Sequence, residues 1–216
     1  MSKITVLMGA PGAGKGTQAG LLSRHFGWPK ISTGDILREI ATMNTDLGRQ
    51  VRDGQSSGQL VSDEILAEIV RERTTRADCR NGYILDGFPR TVNQADLLME
   101  LAREQDRQIA VVNLTVRRDA LIERLSARLI CPQCLEIYNY AAKPPLRPQQ
   151  CDRCGVRLIH RPDDEPAAIA RRLDVYQDQT EPLMEYFRAR GLLTEMDGEQ
   201  PVETTFGALV ALLQSK

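Results

Sequence analysis

Between residues 9 and 17 the chain reads GAPGAGKGT, directly after the apolar run Ile4–Met8. A loop that wraps a phosphate must turn several backbone N–H groups inward, and some of those positions tolerate no Cβ. A helix starting where the loop ends adds its positive pole and its unpaired N–H groups. Gly12, Ala13, Gly14, Lys15, Gly16 and Thr17 therefore form a candidate nucleotide-phosphate cradle. Lys15 would carry a point charge to the outer phosphates, and a hydroxyl would help to hold Mg²⁺. The spacing fits G-x-x-x-x-G-K with one departure. Gly16 stands where Ser or Thr is usual, and Thr17 brings the hydroxyl one place later. The competing description is a glycine-rich turn with a solvated lysine; the strand before and the helix after argue against it.

The run GYILDGFPR puts Asp86 at the end of a second apolar strand. Open α/β sheets bind their ligands at that end, and a carboxylate there can hold Mg²⁺ through water. On its own it could equally make a turn with Gly87. Cys131-x-x-Cys134 and Cys151-x-x-Cys154 are separated by sixteen residues, a spacing that suits tetrahedral Zn²⁺ held by four thiolates. Two disulfides or four free thiols are the alternatives, and iron accepts the same ligands. Four protein ligands leave no open position, so such a metal is structural. The large apolar residues between the pairs are Leu135, Ile137, Tyr138, Tyr140 and Leu146. They cannot bury enough surface to fold that segment, so metal would supply the folding free energy.

From Arg117 to Arg172 there are eleven Lys and Arg against seven Asp and Glu. Most charged residues form solvated faces, and Arg117, Arg118, Arg147, Arg153, Arg157 and Arg171 are read that way. Arg124 and Arg128 lie four apart, which predicts one shared helix face. Guanidinium forks bind phosphate bidentately and stay charged, which suits phosphoryl transfer. His25 and His160 are the only histidines and are read as surface or boundary residues. Cys79 is read as a lone buried or boundary thiol.

These groups need a scaffold. Ile4–Met8, Tyr83–Leu85 and Ile109–Leu114 read as buried strands, Leu192–Met196 and Pro29–Ser32 as weaker ones. Helical spacing runs through Lys15–Phe26, Asp63–Arg76, Thr91–Gln105, Asp119–Ala127, Pro166–Arg190 and Pro201–Gln214. The alternation predicts an α/β/α three-layer P-loop fold with a parallel sheet. Two segments interrupt it: Thr33–Val61, polar and helical, and Leu129–Asp164, rich in Cys, Pro and Arg. The 216 residues suit one domain with insertions. A net charge of −1 gives no bulk attraction to nucleic acid or acidic membranes. With no signal-peptide pattern and no long apolar run, a soluble cytoplasmic protein is expected; a monomer is the expected state.

Taken together, GAPGAGKGT, STGD and DGFPRT, with GQLVSDE, RPDD, RRL and MDG, resemble the nucleoside monophosphate kinases, and most closely the adenylate kinases. The resemblance covers nearly the whole chain. It implies a core of residues 1–31, 62–126 and 165–216, a helical AMP-binding domain at 32–61, and a zinc-binding lid at 127–164. It implies that ATP, AMP and ADP are the substrates, with Mg²⁺ accompanying ATP. Thr33, Arg38, Gln59, Leu60 and Val61 match positions that hold AMP. Gly87, Phe88, Pro89 and Arg90 match the loop that places its phosphate, and Gln94 matches the residue that reads adenine. Arg124, Ile137, Tyr138 and Gln200 match ATP contacts. Arg128, Arg161 and Arg172 match the arginines that converge on the moving phosphoryl group, and Asp163 and Asp164 match the lid's hinge-side carboxylates. Leu129 departs from relatives that carry a second arginine there.

The residues themselves allow plainer roles. Thr33 could cap a helix, Thr91-x-x-Gln94 fits a capping box, and Tyr138 could pack within the lid. Two other functions compete: a UMP/CMP-type kinase, and a P-loop switch with a zinc-ribbon arm.

Overall fold

The computed structural model describes residues 3–57 and 62–215. Gln59, Leu60 and Val61 lie outside the described residues. Five apolar runs form a fully parallel sheet: β1 (Lys3–Met8), β2 (Lys30–Ser32), β3 (Gly82–Asp86), β4 (Gln108–Thr115) and β7 (Leu193–Asp197), in the order β2-β3-β1-β4-β7. Leu7 pairs with Asp86, and Asp86 pairs with Ser32. The chain therefore leaves β1, β2 and β3 at one edge of the sheet, with Asp86 between the other two strands.

Both faces are covered, so the strands can be apolar throughout instead of alternating with polar residues. Ile4, Val6, Tyr83, Leu85 and Val111 face one layer, which contains α4 (Asp63–Thr74), α5 (Val92–Glu104) and α8 (Leu183–Arg188). Leu7, Ile84, Val112 and Leu114 face the other, which contains α1 (Lys15–Phe26), α6 (Arg118–Ser126), α7 (Pro166–Val175) and α9 (Val202–Ser215). Trp28, the only tryptophan, stacks on Phe26 with ring centroids 4.5 Å apart. It packs against Gly82, whose Cβ position would be 2.9 Å from Trp28 Cε2.

The polar insertion forms two helices, α2 (Thr33–Thr42) and α3 (Asp46–Ser57). Ser32, not Thr33, caps α2: its Oγ accepts from Asp35 N–H at 3.3 Å. Thr45 Oγ1 accepts from Gly48 N–H at 3.0 Å at the start of α3. Gly48 is buried where the two helices meet, and a Cβ there would overlap the Met43 carbonyl oxygen and lie 2.8 Å from that of Ile40. Gly48→Ala should therefore force the helices apart at a cost of about 1–3 kcal/mol. Faster hydrogen exchange of α2 and α3 amides is the expected readout; unchanged protection would show that the contact is not tight.

The region predicted as one helix from Pro166 to Arg190 is broken. After α7, Tyr176–Thr180 forms a wide turn in which Glu181 N–H bonds the Tyr176 carbonyl at 2.9 Å, and α8 follows Pro182. Such bulges re-aim side chains inside helices. Here the buried Thr180 Oγ1 is turned to donate to the Arg90 carbonyl at 3.1 Å.

The cysteine segment folds around an antiparallel pair, β5 (Arg128–Ile130) and β6 (Ile137–Asn139). Arg128 opens β5 after α6 has ended, so Arg124 and Arg128 do not share a helix face. Leu129, Tyr138 and Leu158 are buried together with Cys131 and Cys151. Leu129 is thus part of the lid's small core, a place that suits an apolar side chain and not an arginine. Of the five large apolar residues between the cysteine pairs, only Tyr138 is buried, and Leu146 is 87% exposed.

Candidate active site

At the start of α1 the phosphate loop has no side-chain cap, because the capping position is Gly14 with φ +96°. The first turn contains no acidic residue. Its N–H groups and the positive end of the helix dipole are left for an anion. Gly12, at φ +88°, packs on α6 so closely that a Cβ would lie 3.0 Å from Leu125 Cγ. Lys15 Nζ donates to the carbonyls of Gly9 at 2.7 Å and Ala10 at 2.9 Å. Burial lowers its pKa to about 8; Asp86 opposes the shift, and Arg90, Arg172 and Arg128 add to it.

Asp86 is 13% exposed and lies beside the cradle, with Oδ2 3.4 Å from the Cβ position of Gly16. Lys30 Nζ approaches it at 3.4 Å and reaches Asp35 at 3.9 Å. Nothing in the motifs singles out Lys30. Its only signal is its place at the start of β2, one strand away from Asp86. Oxygen donors at Asp86 and Thr17 beside a phosphate cradle fit a hard divalent cation.

Thr33, buried, donates from Oγ1 to the Gly87 carbonyl at 2.9 Å. Arg90 Nε donates to the same carbonyl at 2.8 Å. Phe88 is buried under the loop, and Phe88-Pro89 is a cis peptide. Burial and the neighbouring Arg172 and Arg38 lower the Arg90 pKa, with Asp86 opposing. Arg38 pairs with Asp35. Thr91 caps α5, its Oγ1 accepting from Gln94 N–H at 3.1 Å. The reciprocal half of the capping box is not made, because Gln94 Oε1 accepts from Arg90 N–H at 2.7 Å. Gln94 is fully buried, and Nε2 donates to Asp63 Oδ1 at 2.6 Å.

Arg128 and Arg172 share Asp164, whose side chain is 1% exposed. Arg128 grips it with two bonds, Nε at 2.7 Å and Nη2 at 2.5 Å, and Arg172 Nη1 adds one at 2.9 Å and reaches Asp163 at 3.1 Å. One carboxylate thus ties the first lid strand to α7. Arg161 is different: its buried Nε has no partner among the described residues. Burial, with Arg128 and Arg38 nearby, lowers its pKa to about 10. Among the described residues neither Arg90 nor Arg161 forms an ion pair with a carboxylate, whereas Arg38, Arg128 and Arg172 do.

The remaining candidates divide. Arg124 Nη1 donates to the Gly198 carbonyl at 2.9 Å, in a turn whose Gly198 Cβ position is 3.2 Å from the Ala13 carbonyl oxygen. Ile137 Cδ1 lies 3.7 Å from the Cβ position of Gly16, so this lid residue faces the cradle. Tyr138 does not. It is 1% exposed, its hydroxyl accepts from Asp152 N–H at 2.9 Å and lies 3.5 Å from Cys151 Sγ, and it packs inside the lid. Gln200 is exposed and donates to Asp197 Oδ2 at 2.8 Å. His25 and His160 are exposed, and Cys79 is buried.

The four Sγ atoms of Cys131, Cys134, Cys151 and Cys154 lie within 4.8 Å of one another, and Cys134 and Cys151 are 3.6 Å apart. Tetrahedral zinc with bonds near 2.3 Å sets sulfurs about 3.8 Å apart, so the cluster fits the metal. The two knuckles are built alike. Leu135 N–H bonds the Cys131 carbonyl at 3.0 Å, and Gly155 N–H bonds that of Cys151 at 2.8 Å.

A five-stranded parallel sheet with a phosphate loop after its first strand, an acidic residue on the neighbouring strand and arginines drawn in from inserted segments defines a P-loop phosphotransferase. The family model for adenylate kinase matches residues 7–192. An adenylate kinase of Moorella thermoacetica is 48% identical over 205 residues, covering 94% of each chain. Those of Syntrophomonas wolfei and Archaeoglobus fulgidus are 44% and 40% identical, with at least 97% of each chain covered. The chain belongs to the adenylate kinase family, the ATP:AMP phosphotransferases. Among the described residues no helix is long and apolar enough to cross a membrane.

Proposed function

We propose that this chain transfers the terminal phosphoryl group of MgATP to AMP by the following division of labour. Residues 1–31, 62–126 and 165–216 form the core, residues 32–61 the AMP-binding part, and residues 127–164 a lid stiffened by Zn²⁺ on four thiolates. The phosphate loop and Lys15 hold the ATP phosphates; Arg90 and Thr33 set the AMP phosphate and sugar against them. An acceptor phosphate is already an anion, so no general base is required. What the protein must supply is in-line alignment and positive charge fixed in advance. Arg128, Arg161 and Arg172 supply that charge when the lid covers the site and excludes water. Lid closure in adenylate kinase is a standard illustration of this behaviour. Bound with ATP, Mg²⁺ neutralises phosphate charge; Asp86 and Thr17 are the residues that would hold it.

The observation that carries the reading is that Arg90, Arg128 and Arg172 lie close to Lys15, and Arg128 and Arg38 close to Arg161, with Arg90 and Arg161 lacking carboxylate partners among the described residues. Cations assembled at such desolvation cost are stabilised by anions. All of these residues come from one chain, which fits a monomer, and free thiol ligands suit the cytoplasm.

Arg90→Ala tests the assignment. We expect kcat/KM for AMP to fall about a thousandfold, with ATP binding retained. Near-full activity would remove Arg90 from the site. Comparing AMP, UMP, CMP and GMP as acceptors separates this reading from a UMP/CMP-type kinase, since strong preference for AMP is the expected result.

A further inference from the structure

Each end of the buried Gln94 amide meets a group that can bond in only one sense. Oε1 accepts from the Arg90 backbone N–H at 2.7 Å, and Nε2 donates to Asp63 Oδ1 at 2.6 Å. A backbone N–H cannot accept, and a carboxylate cannot donate. Turning the amide over would set N–H against N–H and oxygen against oxygen. Asp63 is itself pinned: its other oxygen accepts from Thr91 Oγ1 at 2.7 Å and from Asn93 Nδ2 at 3.2 Å. The three donors come from the first turn of α5 and the residue before it, so the carboxylate cannot swing away without breaking all of them.

One N–H and one carbonyl lone pair of Gln94 remain uncommitted, and their order in space is fixed. We propose that Asp63 is a positioning residue that sets the base preference of the acceptor site by locking the Gln94 amide in one orientation. The inference rests on the reading of Gln94 as the residue that meets the acceptor base. In adenine the ring N1 accepts and the 6-amino group donates, so N–H and C=O in a fixed order meet both. A 6-oxopurine inverts the pair: N1 carries a proton and position 6 accepts. A free glutamine would answer by rotating its amide. With Asp63 in place it cannot, and the inverted base meets donor with donor and acceptor with acceptor. Discrimination then comes from a repulsive pairing as well as an attractive one. Leaving buried polar groups unmatched is what makes such discrimination strong.

The test compares kcat/KM for AMP and IMP, which differ only in this pair of groups, in the full-length parent, Asp63→Asn, Asp63→Ala and Gln94→Ala. In Asp63→Asn the new amide can turn an N–H toward Gln94 and so tolerate the reversed orientation. In Asp63→Ala the methyl group places no demand on it, so the Arg90 N–H alone holds the amide, by one bond in place of two. Both Asp63 variants should lower the AMP-to-IMP preference on the order of tenfold, with most of the change in KM and little in kcat. A purely structural role, holding α4 to α5, would lower both acceptors together and leave the ratio alone. An unchanged ratio in the Asp63 variants, while Gln94→Ala flattens it, would overturn the locking role and keep Gln94 as the base reader. An unchanged ratio in Gln94→Ala would overturn the reading of Gln94, and the inference with it. Should Asp63→Asn fail to fold, Asp63→Ala carries the comparison, each assay being run below that variant's own melting temperature.

Discussion

Lys15→Met should leave a folded chain that no longer transfers phosphate, with kcat reduced by about a thousandfold or more. Losing one preorganised charge donor at a reacting oxyanion typically costs that much. The second half of the expectation concerns stability. Lys15 is held by two carbonyls in a part-buried position near Arg90, Arg128 and Arg172, and its pKa falls from 10.5 to about 8. The unfolded chain binds this proton more tightly than the folded one, so the charged lysine destabilises the fold wherever both forms are protonated. That penalty, on the order of 3 kcal/mol, is fully present below pH 8 and fades as the pH rises through 8 toward 10.5. The variant should therefore melt no lower than the parent at about pH 7 without nucleotide. Any advantage should shrink at about pH 9.5, where the parent's lysine is mostly neutral. A melting temperature several degrees below the parent's near neutral pH would show that Lys15 is a structural strut and not a charge kept for a ligand.

The second large effect lies in the lid. On the proposed zinc lid, Cys151→Ser should abolish metal binding, which elemental analysis reads directly, and lower the melting transition of the lid by about 10 °C or more. The physical reason is the thinness of what remains. Leu129, Ile130, Tyr138 and Leu158 are the buried apolar residues of that segment other than cysteine. Four such side chains cannot offset the ordering of so long a segment. Activity at moderate temperature should fall far less than stability, because in the proposed division of labour the cysteines hold the lid while Arg128 and Arg161 meet the substrates. A melting curve identical to the parent's would rule out a structural metal.

Much of this is legible in the sequence, for identifiable reasons. The strands are visible because both sheet faces are covered, which makes Ile4–Met8 and Ile109–Leu114 continuously apolar. The phosphate loop and the cysteine pairs are visible because their chemistry needs fixed spacings within a few residues of one another. What the sequence hides depends on contacts distant along the chain. The four-residue interval between Arg124 and Arg128 has helical spacing, but α6 ends at Ser126 because the chain must turn into the lid strand. Tyr138 matches a base contact, yet its hydroxyl is used by Asp152 and its ring by the lid core. Thr33 has the chemistry of a cap, but Ser32 takes that task and frees Thr33 for Gly87. Asp63 lies within GQLVSDE and Lys30 at the start of β2, but neither has its partner nearby in the sequence. Their partners, Gln94 and Asp86, lie 31 and 56 residues away.

The stacking of Trp28 on Phe26 has a practical use. β3 runs from Gly82, where Trp28 packs, to Asp86 at the cleft, about 13 Å of strand. The chain's sole indole is thus anchored in the α/β/α layers at the end of β3 opposite Asp86, in a core cluster that contains no described residue of the cysteine-bearing segment. Its fluorescence is an internal gauge of the central layers alone. Set beside the release of zinc to a coloured chelator, it would time two separate losses of order in one heated cuvette, with no label attached to the protein.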